Sequence, residues 1–185
     1  MNRRNLLKIV PAGLLITTGL IGFSRLFAAQ KKEQSPKTMT YNTLEDIETL
    51  EQNPSSITPF QLSDDDWKKV LTDAQFAVLI KEGTERPGSS SLNAEKREGE
   101  YVCAACNLAL FTSKTKYESG TGWPSFYDAI EGRLGTKTDF KIGYPRTEYH
   151  CARCGGHQGH VFKDGPKPTG LRYCNNGLAL KFVPA

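Results

Sequence analysis

The chain has 185 residues, 38% hydrophobic and 10% aromatic, enough for one domain with a real core, too short for two full ones, and unlike a disordered chain. The formal net charge of +4 sits in the amino terminus: residues 1–29 carry Arg3, Arg4, Lys8 and Arg25 and no acid, so the remainder holds 20 basic and 20 acidic residues. A body without a net positive field lacks the footprint of a nucleic-acid binder, and no nucleic-acid partner is expected.

The first segment, residues 1–29, joins a basic start to an apolar run from Ile9 to Phe23 and ends in the small residues Ala28 and Ala29. That run is shorter than the roughly 20 apolar residues a spanning helix needs, so an export signal is expected. Arg3-Arg4 followed by Leu6, Leu7 and Lys8 resembles a twin-arginine signal, and Arg25 fits that route. The competing reading is an uncleaved anchor, because Leu26 or Phe27 would stand three residues before the candidate cut sites. Both readings place the folded part outside the cytoplasmic membrane, in the periplasm or a similar compartment, with membrane contact only through this segment. Residues 30–60 are polar and punctuated by proline, which predicts a flexible tether, and the domain is expected over 61–185.

Ser63 can cap a short helix that starts at Asp64, and Thr72-Asp73-Ala74-Gln75 has capping-box spacing before a second helix carrying Phe76, Val78, Leu79 and Ile80. Trp67, between these caps, is assigned to packing. Beyond Tyr101 come short β-prone pieces separated by Gly, Pro and Asn: Y-V-C, L-A-L-F, F-K-I-G-Y, E-Y-H-C, H-V-F and L-A-L-K-F-V. The expectation is a mainly β domain with short helices at its front edge.

Two pairs, Cys103-Ala-Ala-Cys106 and Cys151-Ala-Arg-Cys154, have the spacing of zinc knuckles; two such pairs complete a tetrahedral four-sulfur site. Asn107 and Gly155 follow each pair where a knuckle turn wants positive φ. Disulfides within each pair would close loops too small to remove much unfolded-state entropy, and thioredoxin-like redox chemistry calls for one such motif rather than two matched ones. With every position filled by sulfur, the zinc would hold the fold and do no chemistry. A domain that folds on zinc thiolates is safer folded in a reducing cytoplasm and exported whole, which suits a twin-arginine route.

Cys174 is left over. If Leu171 to Phe182 forms a strand, Arg172, Cys174, Asn176 and Leu178 share a face. A guanidinium beside a thiol lowers its pKa and raises the thiolate fraction, as a nucleophile requires, while a buried structural cysteine is the other reading. His157 and His160, in G-G-H-Q-G-H-V-F, would face opposite sides of a regular strand, so Gly159 marks a bulge or turn that could bring both to one pocket; metal ligands or surface histidines are the alternatives. His150 is read as a surface residue. In S-G-T-G-W-P-S-F a glycine-rich turn presents Trp123, whose indole is either core or an apolar wall for a small substrate group.

The series T-E-R-P, C-A-A-C, K-Y-E-S-G-T-G-W-P-S-F and C-A-R-C-G-G-H-Q-G-H-V-F-K-D-G-P-K-P-T-G-L-R-Y-C-N-N resembles the B-type methionine sulfoxide reductases over residues 60–183. The resemblance implies two antiparallel β-sheets clamped by a four-cysteine zinc site (Cys103, Cys106, Cys151, Cys154), and reduction of the R epimer of methionine sulfoxide in oxidised proteins rather than free amino acid. It implies Cys174 as the nucleophile that becomes a sulfenic acid, His157, His160 and Asn176 as the groups that polarise and protonate the sulfoxide oxygen, Arg172 as the group favouring thiolate, Trp123 as the holder of the substrate methyl, and Asp164 as a support behind them. Many relatives carry a resolving cysteine where Thr121 stands, Gln158 replaces the commoner leucine, and Asn175-Asn176-Gly177 replaces a more hydrophobic run. With four cysteines on zinc and one left, an external thiol from a thioredoxin-like or glutathione-linked donor would regenerate a monomeric enzyme. The rival class is a non-catalytic zinc-clamped β module that binds a small molecule or partner chain, which has no need of Cys174, Asn176 and two histidines together.

Overall fold

The computed structural model describes residues 55–185. The export segment expected over 1–29 and residues 30–54 of the expected tether lie outside the described residues. Among the described residues, no helix is long and apolar enough to cross a membrane.

Two short helices open the domain, α1 (Asp64–Val70) and α2 (Asp73–Leu79). Ser63 Oγ accepts from Asp66 N, with three aspartates in the first turn of α1; Thr72 and Gln75 close a reciprocal capping box on α2. The helices are too short to stand alone and are held by packing: Trp67, Val78 and Leu79 are buried, and Phe60 lies against Trp67 with ring centroids 5.8 Å apart.

Nine strands follow among the described residues: β1 (Gly99–Cys103), β2 (Ala109–Thr112), β3 (Lys116–Tyr117), β4 (Ser125–Phe126), β5 (Leu134–Asp139), β6 (Arg146–Cys151), β7 (His157–Phe162), β8 (Arg172–Asn175) and β9 (Leu180–Pro184). They form two antiparallel sheets, a small one in the order β2-β1-β9 and a large one in the order β3-β4-β8-β7-β6-β5. The expected mainly β fold of two antiparallel sheets with short helices is what the chain adopts.

Strand alternation sorts the large sheet into two faces. On one, Phe126, Tyr173 and Tyr149 meet Tyr101 and Phe111 of the small sheet; Phe111 stacks on Phe126 with centroids 4.1 Å apart, and Phe111, Tyr149 and Tyr173 meet edge to face. Such pairs contribute about 0.5–1.5 kcal/mol each beyond the area they bury. On the other face, cross-strand pairing lines up Lys137, Glu148, His160, Cys174, Ser125 and Tyr117 in one row across all six strands.

Two readings of the strands need correction. F-K-I-G-Y is not a strand but the exposed turn between β5 and β6: Phe140, Ile142 and Tyr144 are exposed and Gly143 has φ 85°. The strand before it, L-G-T-K-T-D, is polar because it is an edge, where alternation is weak. Nor does Leu171 to Phe182 run as one strand. β8 stops at Asn175, a 3-10 turn covers Gly177–Ala179, and β9 crosses into the small sheet, so Asn176 and Leu178 are not on the Arg172–Cys174 strand face.

Between His157 and Gly159, β7 spends two steps against one of β6, Tyr149 to His150. The expected bulge is therefore present, with Gln158 as the extra residue, and it turns His157 to the His160 side; the two rings lie 5.6 Å apart. Gly159 itself is fixed by close approach, since a Cβ there would lie 1.9 Å from the Cys174 carbonyl oxygen. Gly159→Ala must push β8 off β7 and is expected to destabilise by about 1–3 kcal/mol, read as a lower urea midpoint with an unchanged slope; an unaltered midpoint would refute this close contact.

Candidate active site

The metal-type cluster is the most fully determined feature. Cys103 ends β1 and Cys106 lies in the β1–β2 turn; Cys151 ends β6 and Cys154 lies in the β6–β7 turn. The two turns repeat one pattern: Asn107 N donates to Cys103 O, and Gly155 N to Cys151 O, each at 2.9 Å, with φ of 58° at Asn107 and 70° at Gly155. The four sulfurs lie within 4.8 Å of one another, with Cys103–Cys154 at 3.7 Å and Cys106–Cys151 at 3.5 Å. A four-sulfur zinc tetrahedron has edges of about 3.8 Å, so the donor set fits a metal ion. The buried thiols compete for protons: hydrogen bonds from the other three hold Cys103 well below the ordinary thiol value, while Cys154 is pushed well above it. Arg153, 1% exposed, ties the knuckles to the chain before α1, donating to Cys106 O at 3.0 Å and to Ser56 O at 2.6 Å.

The second feature is a pocket of about 130 Å³ lined by Thr84, Trp123, Arg146, Gly159, His160, Phe162, Cys174, Asn175 and Asn176. It gathers Cys174, His160, Asn176 and Trp123. Cys174 faces His160 directly across β7–β8, and Ser125 faces it across β4–β8. A larger cleft of about 560 Å³ along β3 is lined by residues such as Lys96, Arg97 and Lys116 and contains none of these groups.

Arg172 lies behind the pocket. Its guanidinium donates through Nε and Nη2 to both carboxylate oxygens of Asp164, at 2.9 and 2.8 Å, and sits 4.4 Å from the Phe162 ring centroid. Asp164 thus stands behind Arg172, as the resemblance implies. The net effect on Cys174 is the reverse of what the guanidinium alone suggests. Burial pushes the thiol above its ordinary 9.0, and the Arg172 charge and hydrogen bonds from Thr121 and Arg172 pull it back only in part. The hydroxyl that bonds Cys174 belongs to a short chain, Thr121 to Ser119 at 2.8 Å and Ser119 to Ser125 at 2.7 Å.

The histidines are each oriented by a carboxylate. Nε2 of His160 donates to Asp139 at 2.7 Å, and Nδ1 of His157 donates to Glu148 at 2.7 Å. Burial lowers the His160 pKa below 6.5, with Asp139 opposing and Arg146 assisting, so the ring is neutral near pH 7. Asp139 is held well below the ordinary carboxylate range by the Lys141 backbone N–H, then by His160 and Arg146. His157 is 3% exposed and does not line the pocket; it lies behind His160. His150 is not a free surface residue but half-buried, with Nδ1 3.2 Å from Glu148.

Asn176 is buried, its Nδ2 donating to Gln158 O at 3.0 Å and its Oδ1 accepting from Glu85 N at 3.1 Å, which leaves one amide N–H unassigned at the pocket wall. Trp123 Nε1 donates to Glu85 O at 3.2 Å. Trp67, by contrast, is core, as expected. Gln158, fully buried, spans the two sites: Nε2 donates to Cys103 Sγ at 3.5 Å, and Oε1 accepts from Asn175 at 3.3 Å. Sequence reasoning missed Thr84, Glu85, Asp139, Arg146 and Glu148. T-E-R-P was visible as a motif, but no local signal gave its residues a role.

An open pocket with a half-buried thiol, a carboxylate-oriented histidine and an indole wall, with a second such histidine behind it and a closed four-thiol cluster beside it, defines a cysteine-based enzyme with a separate structural metal-type site. Residues 71–184 match the SelR domain model. The peptide methionine sulfoxide reductase MsrB of Leptospira interrogans is 54% identical over 121 residues, 65% of this chain and 92% of that protein. The protein of the same name from Methanosarcina barkeri is 55% identical over 121 residues, 65% of this chain and 85% of its own length. That of Pseudomonas savastanoi pv. phaseolicola is 51% identical over 121 residues, again 65% of this chain and 92% of its own. The chain belongs to the SelR family, the B-type methionine sulfoxide reductases.

Glu148 offers a pH test of the histidine frame. Burial raises its pKa, but bonds and charge from His150 and His157 outweigh burial and bring it from an ordinary 4.5 down to about 2. A depressed carboxylate gives stability that is complete above pH 4.5 and lost as pH falls toward 2. Glu148→Gln is expected to be less stable at pH 7 by on the order of 2–3 kcal/mol, with the difference narrowing below about pH 4.5. Urea midpoints of both proteins across about pH 3–7 measure it, and a pH-independent difference would contradict the assignment.

Proposed function

We propose that this protein reduces the R epimer of methionine sulfoxide, in oxidised proteins in preference to the free amino acid, with Cys174 as nucleophile. The observation that carries the reading is the placement of Cys174 directly opposite His160, in a pocket walled by Trp123 and Asn176. The Cys174 sulfur attacks the sulfoxide sulfur and forms an S–S bond while the oxygen takes up the thiol proton; the oxygen then moves to the Cys174 sulfur as the substrate S–O bond and the new S–S bond break, so methionine leaves and Cys174 is a sulfenic acid. Sulfur of the substrate is reduced by two electrons and Cys174 is oxidised by two. No net proton is consumed, because the thiol proton ends on the oxygen. A thiol kept protonated by burial brings that proton with it.

The free N–H of Asn176 supports the developing negative oxygen, and His160, whose one N–H is held by Asp139, leaves its Nδ1 lone pair to relay the thiol proton to that oxygen, with His157 positioned behind. Trp123 offers the apolar wall for the substrate methyl, and Arg172, locked by Asp164, favours the thiolate at the moment of attack. Cys103, Cys106, Cys151 and Cys154 would hold zinc; when bound, the ion supplies structural closure. An external thiol from a thioredoxin-like or glutathione-linked donor then attacks the sulfenic acid, releasing water; a second thiol frees Cys174 and leaves as the donor disulfide. Export of the folded domain by residues 1–29 would place this repair outside the cytoplasm.

The test is turnover of separate R and S epimers of a dabsylated methionine sulfoxide with dithiothreitol. The native enzyme is expected to reduce the R epimer alone, and Cys174→Ser to lose roughly 1,000-fold or more. Turnover by Cys174→Ser, or preference for the S epimer, would overturn the reading.

A further inference from the structure

We infer that Glu85 is a positioning residue that holds the two walls of the pocket, Trp123 and Asn176, in one rigid frame. The proposal rests on the roles given above to those two residues. Glu85 comes from the T-E-R-P segment between α2 and β1, and it is 8% exposed. Its carboxylate is wholly occupied with the turn that follows Asn176: Gly177 N donates to Oε1 at 2.6 Å and Leu178 N to Oε2 at 3.0 Å. Its backbone N–H donates to Asn176 Oδ1, which decides which end of that amide faces the pocket, and its carbonyl accepts from the Trp123 indole. One residue therefore contacts both walls, 38 residues from one and 91 from the other in sequence.

The fit around this clamp is tight. A Cβ at Gly177 would lie 2.0 Å from Ser90 Oγ and 3.1 Å from Glu85 Oε1, so the turn carries its bare N–H directly onto the carboxylate. The preceding residue, Thr84, lines the pocket itself. Two charge-assisted hydrogen bonds from backbone N–H groups to a buried carboxylate are short and strong, and without them the turn beyond Asn176 is left with two orphan donors. Loss of the carboxylate would release both the Asn176 amide and, through the shift of the Glu85 backbone, the Trp123 ring.

The clamp and a purely structural role differ in kinetics. A fold defect lowers the active fraction, so apparent kcat falls while KM stays; a loosened Trp123 wall raises KM, and a loosened Asn176 lowers kcat of the folded enzyme. The experiment uses the full chain with Glu85→Gln, which keeps one acceptor, and Glu85→Ala, which keeps none. The steady-state assay uses an R-sulfoxide peptide, with metal content and melting temperature recorded. Expected are folded variants with KM raised several-fold and kcat/KM reduced about 10-fold for Gln and about 100-fold for Ala. Asn176→Ala should cost less in the Glu85→Ala background than alone. Folded variants with native KM overturn the proposal, as does failure of both to fold, which would assign Glu85 to the fold alone. If Trp123→Ala and Asn176→Ala have native kinetics, the underlying functional reading falls and the clamp with it; if they are impaired and the Glu85 variants are not, only the clamp falls.

Discussion

Cys103 and Cys106 stand at the turn between β1 and β2, Cys151 and Cys154 at the turn between β6 and β7, and gathering their four sulfurs within 4.8 Å pins the small sheet to the large one. The aromatic face formed by Tyr101, Phe111, Phe126, Tyr149 and Tyr173 closes between the same two sheets, its members coming from strands on both sides of the pin. The far face of the large sheet is then free to carry Cys174, His160 and Glu148 in one row. Gln158 connects the two regions, reaching a cluster sulfur through its amide and Asn176 through its carbonyl. Site geometry is thereby tied to the integrity of the cluster, although the cluster has no open position for chemistry.

Within the pocket the decisive balance is between burial and charge at Cys174. Burial stabilises the neutral thiol, and Arg172, whose Nε and Nη2 are occupied by Asp164, offsets only part of that effect. On the proposed mechanism this is an advantage rather than a defect, since the sulfoxide oxygen must gain a proton as its bond to sulfur breaks. A neutral His160, its Nε2 proton directed at Asp139, keeps an acceptor nitrogen at Nδ1 and adds no positive charge that would draw the thiol toward thiolate. On the proposed reaction, a pocket of about 130 Å³ has to place one proton and one developing oxyanion.

What could be read from sequence was what local chemistry writes locally. The two C-x-x-C pairs with Asn107 and Gly155, the caps at Ser63 and Thr72, and the bulge between the histidines all depend on neighbours a few residues away, and all are present. Cys174, His160, Asn176 and Trp123 were legible as a set only through motif resemblance, and the fold brings them to one pocket. The failures share a cause. F-K-I-G-Y alternates like a strand but is an exposed turn, and L-G-T-K-T-D is a strand that lacks a buried face to pattern it. Glu148 meets His157, Asp139 meets His160 and Glu85 meets Gly177 across 9, 21 and 92 residues, and no single-sequence spacing encodes such pairs.

The central claim is that Cys174 works alone. Of the five cysteines, four gather in the cluster and Cys174 is left over, and the proposed one-cysteine cycle rests on that count. The Thr121 hydroxyl bonds the Cys174 sulfur but cannot form a disulfide with it. The most direct measurement is the intact mass of the metal-loaded protein after a single turnover with R-sulfoxide substrate and no reductant, with dimedone present in a parallel sample. The account predicts a gain of about 16 Da without dimedone, and a dimedone adduct located at Cys174. A loss of about 2 Da, mapped to a disulfide joining Cys174 to one of the cluster cysteines, would contradict it.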